Sequence, residues 1–302
     1  MLGATRAGPL ALIDADRGVV AATLAARDAN EESSPLFASA WSLARYARAW
    51  GGGDSALYEF DVARGCAVSS RSTAASSKGR IAAVASAPDA SGLVACGSLD
   101  SGTVSLHDER GNGGRVVCTV DDVDDEGSGG SNKSGGCTAM RFSTCGRVLY
   151  AGYRRHGAVV SWDLRGSSQR QRVLCRFPRD DSAGQRLGFD VAPFGSRELL
   201  ATASRDGRVL IYDIASCECD TVMDDWMSNS PPVDVGFFDC GALAVLSGPR
   251  HGEEREGHEA DRAEHTTERP TECTTERTAS FSVWGNITTP RSLLPSGELG
   301  LP

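Results

Sequence analysis

Residues 141–186 concentrate positive charge, with ten arginines against three carboxylates and a net charge of +7. Guanidinium groups at this density attract the phosphates of nucleic acid, and such binding weakens as salt rises. Within this segment, Arg154 and Arg155 stand between Tyr153 and His156. Rings beside arginines can stack on an unpaired base while the arginines hold the phosphates. The motif "YRRHG" is therefore typical of a contact with single-stranded nucleic acid.

The same arginines allow a second interpretation, because charged residues also serve simply to keep a surface soluble. Asp180, Asp181 and Asp206 are near enough in the sequence to pair with them, and both interpretations stay open. The candidate contacts to nucleic acid are Tyr153, Arg154, Arg155, His156, Arg179, Arg186, Arg205 and Arg208.

Other patterns that could do chemistry fail on their spacing. In "HEADRAEH", residues 258–265, Arg262 occupies the place of the second zinc ligand of an HExxH motif. "GSGGSNKS", residues 127–134, approaches a phosphate-binding loop but has Asn132 in place of the second glycine. No nucleophile elbow of the G-x-S-x-G type occurs. We predict no enzyme activity, no catalytic residue, no metal site, no cofactor and no small-molecule substrate.

Charge and cysteine usage further narrow the class of protein. The 302 residues carry a net charge of −9, but residues 121–126 and residues 251–277 contribute −5 each, so the remainder is near neutral and rich in arginine. Without a run of about eighteen apolar residues, we expect no transmembrane helix and no membrane partner. The ten cysteines show no zinc spacing, and we expect Cys96, Cys175 and Cys240 to be small reduced side chains in apolar surroundings.

The elements that would position the arginines emerge from a repeat. Short apolar strands that end alike, such as "ALYEFD", "TVSLHD", "AVVSWD" and "RVLIYD", recur along the chain. Successive strand ends are 47, 47, 55, 50 and 72 residues apart, slightly longer than a WD-repeat blade of about 40–45 residues. We call the positions that close these strands the strand-end residues. They are Asp14, Asp61, Asp108, Trp162 with Asp163, Tyr212 with Asp213, and Trp284.

Each unit also has the same internal order. A polar turn is followed by a strand of small residues, such as "LVACGS" or "LLATAS", and then by a second turn with glycine. Asp206 and Gly207 are residue types that a two-residue hairpin turn favours. Successive antiparallel units of this kind favour a β-propeller, whose radial packing leaves few open edges. The alternative is an irregular β-sandwich.

We therefore predict an all-β, WD40-type β-propeller over residues 1–286, with about six of seven blades present and the first blades incomplete. The first strand end comes only fourteen residues into the chain, so we expect the natural protein to have a further N-terminal part. An acidic low-complexity linker is expected over residues 119–136 and a disordered insertion over residues 250–278 in the last blade. Residues 287–302 would form a C-terminal tail.

Propeller geometry sorts the charged residues by the loops that carry them. The turn between the second and third strands of a blade shares one face with the link to the next blade. Arg154 and Arg155 lie in such a turn, Arg179 and Arg186 in the link that follows, and Arg205 and Arg208 flank the corresponding turn of the next blade. Arg154, Arg155, Arg179 and Arg205 could therefore form one patch, with Tyr153 and His156 beside them. The aromatic strand-end residues should pack between blades, while Asp163 and Asp213 should cap turns. The arginines expected on the opposite face or outer strand, where they could serve protein partners, are Arg165, Arg170 and Arg172.

Several segments together resemble one family. "GGCTAMRFSTCGRVLYAGYRRHGAVVSWDLRGSS" resembles the blade of the telomerase Cajal body protein family that carries its best-formed Trp-Asp-Leu-Arg. "GQRLGFDVAPFGSRELLATASRDGRVLIYD" and "PPVDVGFFDCGALAVLSGPRHG" are similar to the family's next segments in the same order, with an acidic loop before the closing strand. The resemblance covers roughly residues 9–286. The glycine-histidine pairs that open the family's blades are missing from the repeat units.

This resemblance implies a non-enzymatic scaffold. Members of the family bind small Cajal body RNAs of the H/ACA class, and telomerase RNA, through a short loop motif in the RNA. They deliver these RNAs to Cajal bodies in the nucleus, in contact with the core proteins of the H/ACA ribonucleoprotein. The residues leave open a different function, that of a generic WD-repeat scaffold for protein partners without an RNA role, which could be cytoplasmic.

Overall fold

The described part of the chain is built from β-strands joined by turns. The computed structural model describes residues 2–3, 8–14, 16–27, 32–72, 79–89, 91–109, 114–118, 135–165, 173–181, 184–223, 231–238, 241–248 and 280–284. Within these ranges every regular element is a strand. No helix in them could span a membrane by its length and apolar character.

The strands follow one another as antiparallel neighbours. In chain order they are β1 (Leu2–Gly3), β2 (Leu10–Asp14), β3 (Val19–Leu24), β4 (Ala26–Arg27), β5 (Ser33–Ser34), β6 (Ala38–Trp41), β7 (Arg48–Gly52), β8 (Ala56–Asp61), β9 (Cys66–Ser72), β10 (Ile81–Ser86), β11 (Leu93–Ser98), β12 (Val104–Asp108), β13 (Gly114–Cys118), β14 (Cys137–Phe142), β15 (Val148–Tyr153), β16 (Ala158–Asp163), β17 (Val173–Pro178), β18 (Phe189–Phe194), β19 (Arg197–Ala203), β20 (Val209–Asp213), β21 (Glu218–Met223), β22 (Pro232–Phe237), β23 (Leu243–Ser247) and β24 (Ser280–Trp284). A short pair, β4–β5, separates the first sheet from the second. The larger sheets, which we number 1 to 6, are β1–β3, β6–β9, β10–β13, β14–β17, β18–β21 and β22–β24.

The strand-end residues recur at equivalent places in these sheets. Asp61, Asp108, Asp163 and Asp213 each close the third strand of a four-stranded sheet, and Trp284 closes β24. Sheets 2 to 5 have the four-stranded antiparallel order that the repeat predicts. The all-β prediction with four-stranded antiparallel blades is thus confirmed. The seven-blade ring with about six blades present stays a prediction.

Apolar side chains fill the space between neighbouring sheets. Trp162 is fully buried, in a cluster that joins Leu149 of sheet 4 to Ala85 of sheet 3. On the other side of sheet 4, Phe177 meets Tyr212 of sheet 5 with ring centroids 5.5 Å apart. Burying such aromatic rings is a dominant source of stability in a core. The structure therefore places Trp162 and Tyr212 between sheets, while the side chain of Trp284 lies outside the described residues.

The strand-end aspartates organise the turns that follow them. In four of them, Asp14, Asp61, Asp163 and Asp213, a carboxylate oxygen accepts a hydrogen bond from a backbone N–H two or three residues later, which stabilises a tight turn. The Asp163 carboxylate is also held by the Arg165 guanidinium, which lowers its pKa to about 2. The donor and acceptor pairs are Asp16 N to Asp14, Arg64 N to Asp61, Arg165 N to Asp163 and Ala215 N to Asp213, at 3.1, 3.0, 2.9 and 2.8 Å.

The sheets have two distinct ends. Because each sheet is antiparallel, the turns between second and third strands lie at the same end as the links between sheets. Hydrogen bonds join these loops: Arg154 N–H donates to Gly136 O at 3.1 Å, and Arg205 N–H to Asp180 O at 2.8 Å. We call this the upper end. The lower end carries the first-to-second and third-to-fourth turns, including those that the strand-end aspartates cap.

Three predicted segments cannot be compared with the fold. Residues 119–134 of the acidic linker, the insertion over 250–278 and the tail over 287–302 lie outside the described residues. Gly135 and Gly136, the last residues of the predicted linker, are described and lie at the upper end beside Arg154.

The cysteines differ in part from the expectation of reduced side chains in apolar surroundings. Cys96 is free and fully buried, and burial raises its thiol pKa to about 11. Cys175 instead forms a disulfide with Cys217 across Cα atoms 6.5 Å apart. The expectation of a reduced thiol was wrong for Cys175, because adjacent outer parts of sheets 4 and 5 bring it next to Cys217. Cys240 lies outside the described residues.

Candidate nucleic-acid interface

The turn between β15 and β16 lies at the upper end of sheet 4 and contains Arg154 and Arg155. Both residues are exposed. The Arg154 backbone is fixed on both sides, since its N–H donates to Gly136 O and its carbonyl accepts from Gly135 N at 2.6 Å. Its guanidinium Nε donates to Gly184 O at 2.8 Å. The turn is thus tied to the links on either side of sheet 4.

Arg155 has an unusual backbone conformation. Its φ is 57°, in the left-handed region that non-glycine residues seldom occupy. Such a conformation costs on the order of 1 kcal/mol and persists where surrounding structure fixes it. The Arg155 side chain lies against Gly184, where an added Cβ would come within 2.9 Å of its Nε. Arg154 and Arg155 therefore converge over the same residue of the next link.

Tyr153 does not reach the surface. The last residue of β15 is fully buried, and its ring meets Trp162 edge-on with centroids 6.2 Å apart. The structure therefore does not offer this ring to a base, contrary to the stacking role expected from the sequence. His156 is half-buried, with Nδ1 2.9 Å from Ala158 O and its ring 6.2 Å from that of Tyr153. Tyr153 supports the His156 ring from below.

Arg179 is also buried rather than displayed. Its Nη1 donates to Leu187 O at 3.2 Å and to Thr202 Oγ1 at 3.0 Å, while Nη2 lies 3.9 Å from the Asp181 carboxylate. Burial lowers the pKa of Arg179 to about 10, so it stays protonated at neutral pH. Burial raises the pKa of Asp181 to about 6, against the attraction of Arg179. Arg179 thus joins sheets 4 and 5, and the expected surface contact is not available to it.

The remaining candidates lie around this turn at the upper end. Arg186 and Arg208 are exposed, and Arg205 is half-buried. Arg208 Nη1 lies 3.6 Å from Asp206, an exposed pair of the kind that contributes little. The Asp181 carboxylate lies close to the turn, since Arg154 attracts it and the Arg155 backbone N–H donates to it. Of the eight candidates, the structure brings Arg154, Arg155, His156, Arg186, Arg205 and Arg208 to or near the surface.

Two features of the charge distribution were missed in the sequence. Arg141, on β14, bridges to Asp190 of sheet 5 at 3.0 Å. At the upper end of sheet 3, Arg80 pairs with Asp100 at 2.6 Å. The sequence could have indicated this second pair. Arg80 lies in the link before sheet 3, as Arg179 lies in the link before sheet 5, and Asp100 lies in the turn between the second and third strands, as Arg154 does in sheet 4. In the described ranges no three His, Cys, Asp or Glu side chains are grouped to hold a metal ion.

The arrangement of the sheets and a comparison with solved structures identify the fold class. A chain in the solved structure of the mitotic checkpoint complex matches with a TM-score of 0.60 and 18% identity, over 82% of this chain and 66% of that chain. At this identity the match shows the fold alone. With successive four-stranded antiparallel sheets, the chain has a WD-repeat-like β-propeller fold.

Sequence comparison leads to a particular relative. The chain is similar to Telomerase Cajal body protein 1 of Mesocricetus auratus, with 31% identity over 81 residues, or 27% of this chain and 14% of that protein. The Bos taurus protein matches at 28% over 100 residues, 33% of this chain and 18% of the relative. These matches confirm the resemblance to the family that the sequence indicates. The matched segments span less than a fifth of the length of these relatives. No family model matches the chain.

Proposed function

We propose that the chain is a non-enzymatic scaffold that binds H/ACA-type small Cajal body RNA or telomerase RNA at the upper end of sheets 4 and 5. In this function it directs the RNA to Cajal bodies in the nucleus and works with the core proteins of the H/ACA ribonucleoprotein. The observation that carries the proposal is the turn with Arg154 and Arg155, two exposed arginines that are both held against Gly184 at the upper end of sheet 4. Similarity to Telomerase Cajal body protein 1 supports the class of RNA.

The turn suits a nucleic-acid backbone physically. Backbone hydrogen bonds from Gly135 and Gly136 hold Arg154 in place, so little ordering is needed when a phosphate arrives. Arg186 and Arg208 extend positive charge along the adjoining loops. The partly exposed ring of His156 offers a surface for an unpaired base. Phosphate contacts give affinity, while recognition of a loop motif requires contacts to bases.

The first experiment measures binding of the full chain to an H/ACA RNA that carries the family's loop motif. A matched RNA of equal length with the loop sequence scrambled serves as the specificity control. The affinity should fall steeply between about 50 and 200 mM salt. It should also be higher for the intact loop. Equal binding of both RNAs would leave only a nonspecific affinity for nucleic acid, and no binding would favour a generic scaffold for protein partners.

The second experiment locates the RNA on the surface. Arg154→Glu with Arg155→Glu should lower the affinity at least about tenfold and reduce the slope of log affinity against log salt by about two. The control variant, Arg17→Glu with Arg64→Glu, makes the same charge change at the lower end, where both side chains are exposed. Equal losses from the two variants would show a long-range charge effect and would contradict a site at the turn.

A further inference from the structure

The first turn of sheet 2, at the lower end, exposes large apolar side chains. Tyr46 is fully exposed, Leu43 is 61% exposed and Trp41 is 37% exposed. These three residues lie within six positions of one another, at the end of β6 and in the turn to β7. Side chains of this size are usually removed from water, and groups of them on a surface indicate a binding site.

The backbone of this turn is held firmly, so the exposure does not come from a loose loop. Ser42 N–H donates to Arg48 O at 3.0 Å, and Arg45 N–H donates to Ser42 Oγ at 3.0 Å. Ser42 Oγ donates to the buried Glu109 carboxylate at 2.8 Å, and Leu43 N–H donates to Ser86 Oγ at 3.3 Å. Sheet 3 thereby anchors the turn of sheet 2. A surface fixed in this way loses little entropy when a partner binds.

The charges around the turn are arranged in two layers. The side chains of Glu59 and Glu109 are only 5% and 1% exposed, whereas Arg45 is 44% exposed and Arg64 is 77% exposed. Arg45 lies 3.1 Å from Glu59. Because the carboxylates are covered and the guanidiniums face outward, an approaching partner meets positive charge first. Acidic groups on that partner would therefore complement the surface.

We propose that this surface docks an acidic polypeptide segment with an aromatic or aliphatic anchor residue. We name it the β6–β7 surface and define it by Trp41, Leu43, Arg45, Tyr46, Arg48 and Arg64. Trp, Tyr and Arg are the residue types that most often dominate binding energy at protein interfaces.

The observations favour polypeptide over nucleic acid as the occupant. Leu43 has no ring on which a base could stack, and Trp41, Leu43 and Tyr46 together offer an apolar surface that suits an aromatic or aliphatic side chain of a polypeptide. The proposal does not rest on RNA binding at the upper end, from which it differs in position and in ligand.

The test is selection of peptides from a random 16-residue library displayed on phage, with the immobilised full chain as bait. Enriched peptides should combine several Asp or Glu residues with a Phe, Trp, Tyr or Leu. The best peptide, made with a fluorescent label, should bind in solution and weaken as salt rises. Failure to enrich any peptide, or enrichment of neutral or basic ones, would overturn the proposal.

Matched variants place the peptide on the surface. Leu43→Ser with Tyr46→Ser should weaken the selected peptide at least about tenfold, and Arg64→Gln should weaken it by a smaller factor. The control variant, Leu174→Ser with Val222→Ser, removes two exposed apolar side chains from outer strands of sheets 4 and 5. Peptide binding that survives the first variant, or competition by single-stranded oligouridine for the same side chains, would each rule out the β6–β7 surface as a polypeptide site.

Discussion

The upper turn of sheet 4 holds its arginines differently from the turns of the lower end. At the lower end, Arg165 pairs with the Asp163 carboxylate, and Arg197 lies 3.0 Å from Asp213. At the upper end of sheet 4, Arg154 is bonded instead to the carbonyl of Gly184. A carbonyl positions a guanidinium without cancelling its charge, whereas a carboxylate does both. The number of arginines in a segment is therefore a poorer guide to a binding surface than the acceptors that they meet.

The difference follows from the repeat. Most repeats end the third strand with an aspartate, so a carboxylate recurs at the lower end wherever the fold needs a turn capped. At the upper end, the described turns between second and third strands carry an aspartate in sheets 2, 3 and 5, and that of sheet 4 does not. These aspartates are Asp54, Asp100 and Asp206. In sheet 3 an aspartate is present, and Arg80 is paired with Asp100, while the turn of sheet 4 has two arginines in the corresponding place. The turn of sheet 4 is thus the place at the upper end where the sequence departs from the repeat and where a ligand can be selected.

The strongest test of this comparison removes the packing under the upper turn. Trp162→Ala should lower the free energy of unfolding by about 3–5 kcal/mol, because the ring is fully buried between sheets 3 and 4 and supports Tyr153. Chemical denaturation measures the loss. Trp41→Ala at the lower end, where the ring is partly exposed, should cost well under half of that. Similar losses for both tryptophans would show that the upper turn does not depend on this core.

A second variant tests whether the buried Arg179 contributes to stability rather than to RNA binding. Arg179→Met removes the guanidinium that holds Leu187 O and Thr202 and leaves Asp181 buried without its partner. The free energy of unfolding should fall by about 3 kcal/mol. At a temperature where the variant is folded, the salt slope of RNA binding should match that of the unaltered chain. A slope reduced by about one would mean that Arg179 contacts a phosphate after all.

The response to acid should differ between a buried imidazole and a buried carboxyl. Burial lowers the pKa of His107 from 6.5 to about 4, so below pH 6.5 only the unfolded chain gains this proton and stability falls, by up to about 3 kcal/mol. Burial raises the pKa of Asp181 from 3.8 to about 6, so the folded chain takes up the proton first and stability rises as pH falls.

The two groups therefore oppose each other between about pH 6 and pH 4. Urea denaturation across this range should show a smaller acid loss for His107→Asn and a larger one for Asp181→Asn than for the unaltered chain. If His107→Asn retains the full acid loss, the imidazole is not neutral in the fold. If Asp181→Asn leaves the curve unchanged, that carboxyl is already ionised below pH 4.

The fold could be predicted because its signals are local and repeated. Each strand end, small-residue strand and glycine turn lies within one unit of sequence, and the same order recurs. The burial of Tyr153 was also readable, since Leu149, Ala151 and Tyr153 alternate along β15 and all face the core between sheets 3 and 4. The motif "YRRHG" spans the end of a strand and the turn after it, and its first residue, Tyr153, closes β15.

The burial of Arg179 could not be read in the same way. Its guanidinium occupies space left by Gly152, where an added Cβ would lie 2.8 Å from Nη2. That contact depends on the close approach of β15 to the link that follows β17, which no local pattern encodes. The acceptors of Arg154 are likewise the carbonyls of Gly136 and Gly184, both remote in sequence, so its position could be found only in the structure.

The smallest expected effect comes from Asp100→Asn, a variant that enlarges the positive surface of the upper end. Asp100 holds Arg80 by hydrogen bonds from Nε at 3.2 Å and from Nη2 at 2.6 Å, and the guanidinium lowers the carboxyl pKa. Asp100→Asn removes the negative charge and leaves Arg80 able to meet a phosphate. RNA affinity should then rise by about threefold, and the salt slope should steepen by up to about one.

Asp16→Asn makes the same charge change at the exposed lower-end turn of sheet 1 and should leave RNA binding unchanged. If both variants raise the affinity equally, the RNA responds to net charge rather than to the upper end. If neither does, the RNA does not reach sheet 3, and the positive surface that matters is confined to sheets 4 and 5, where Arg154 is exposed and its guanidinium donates to a carbonyl.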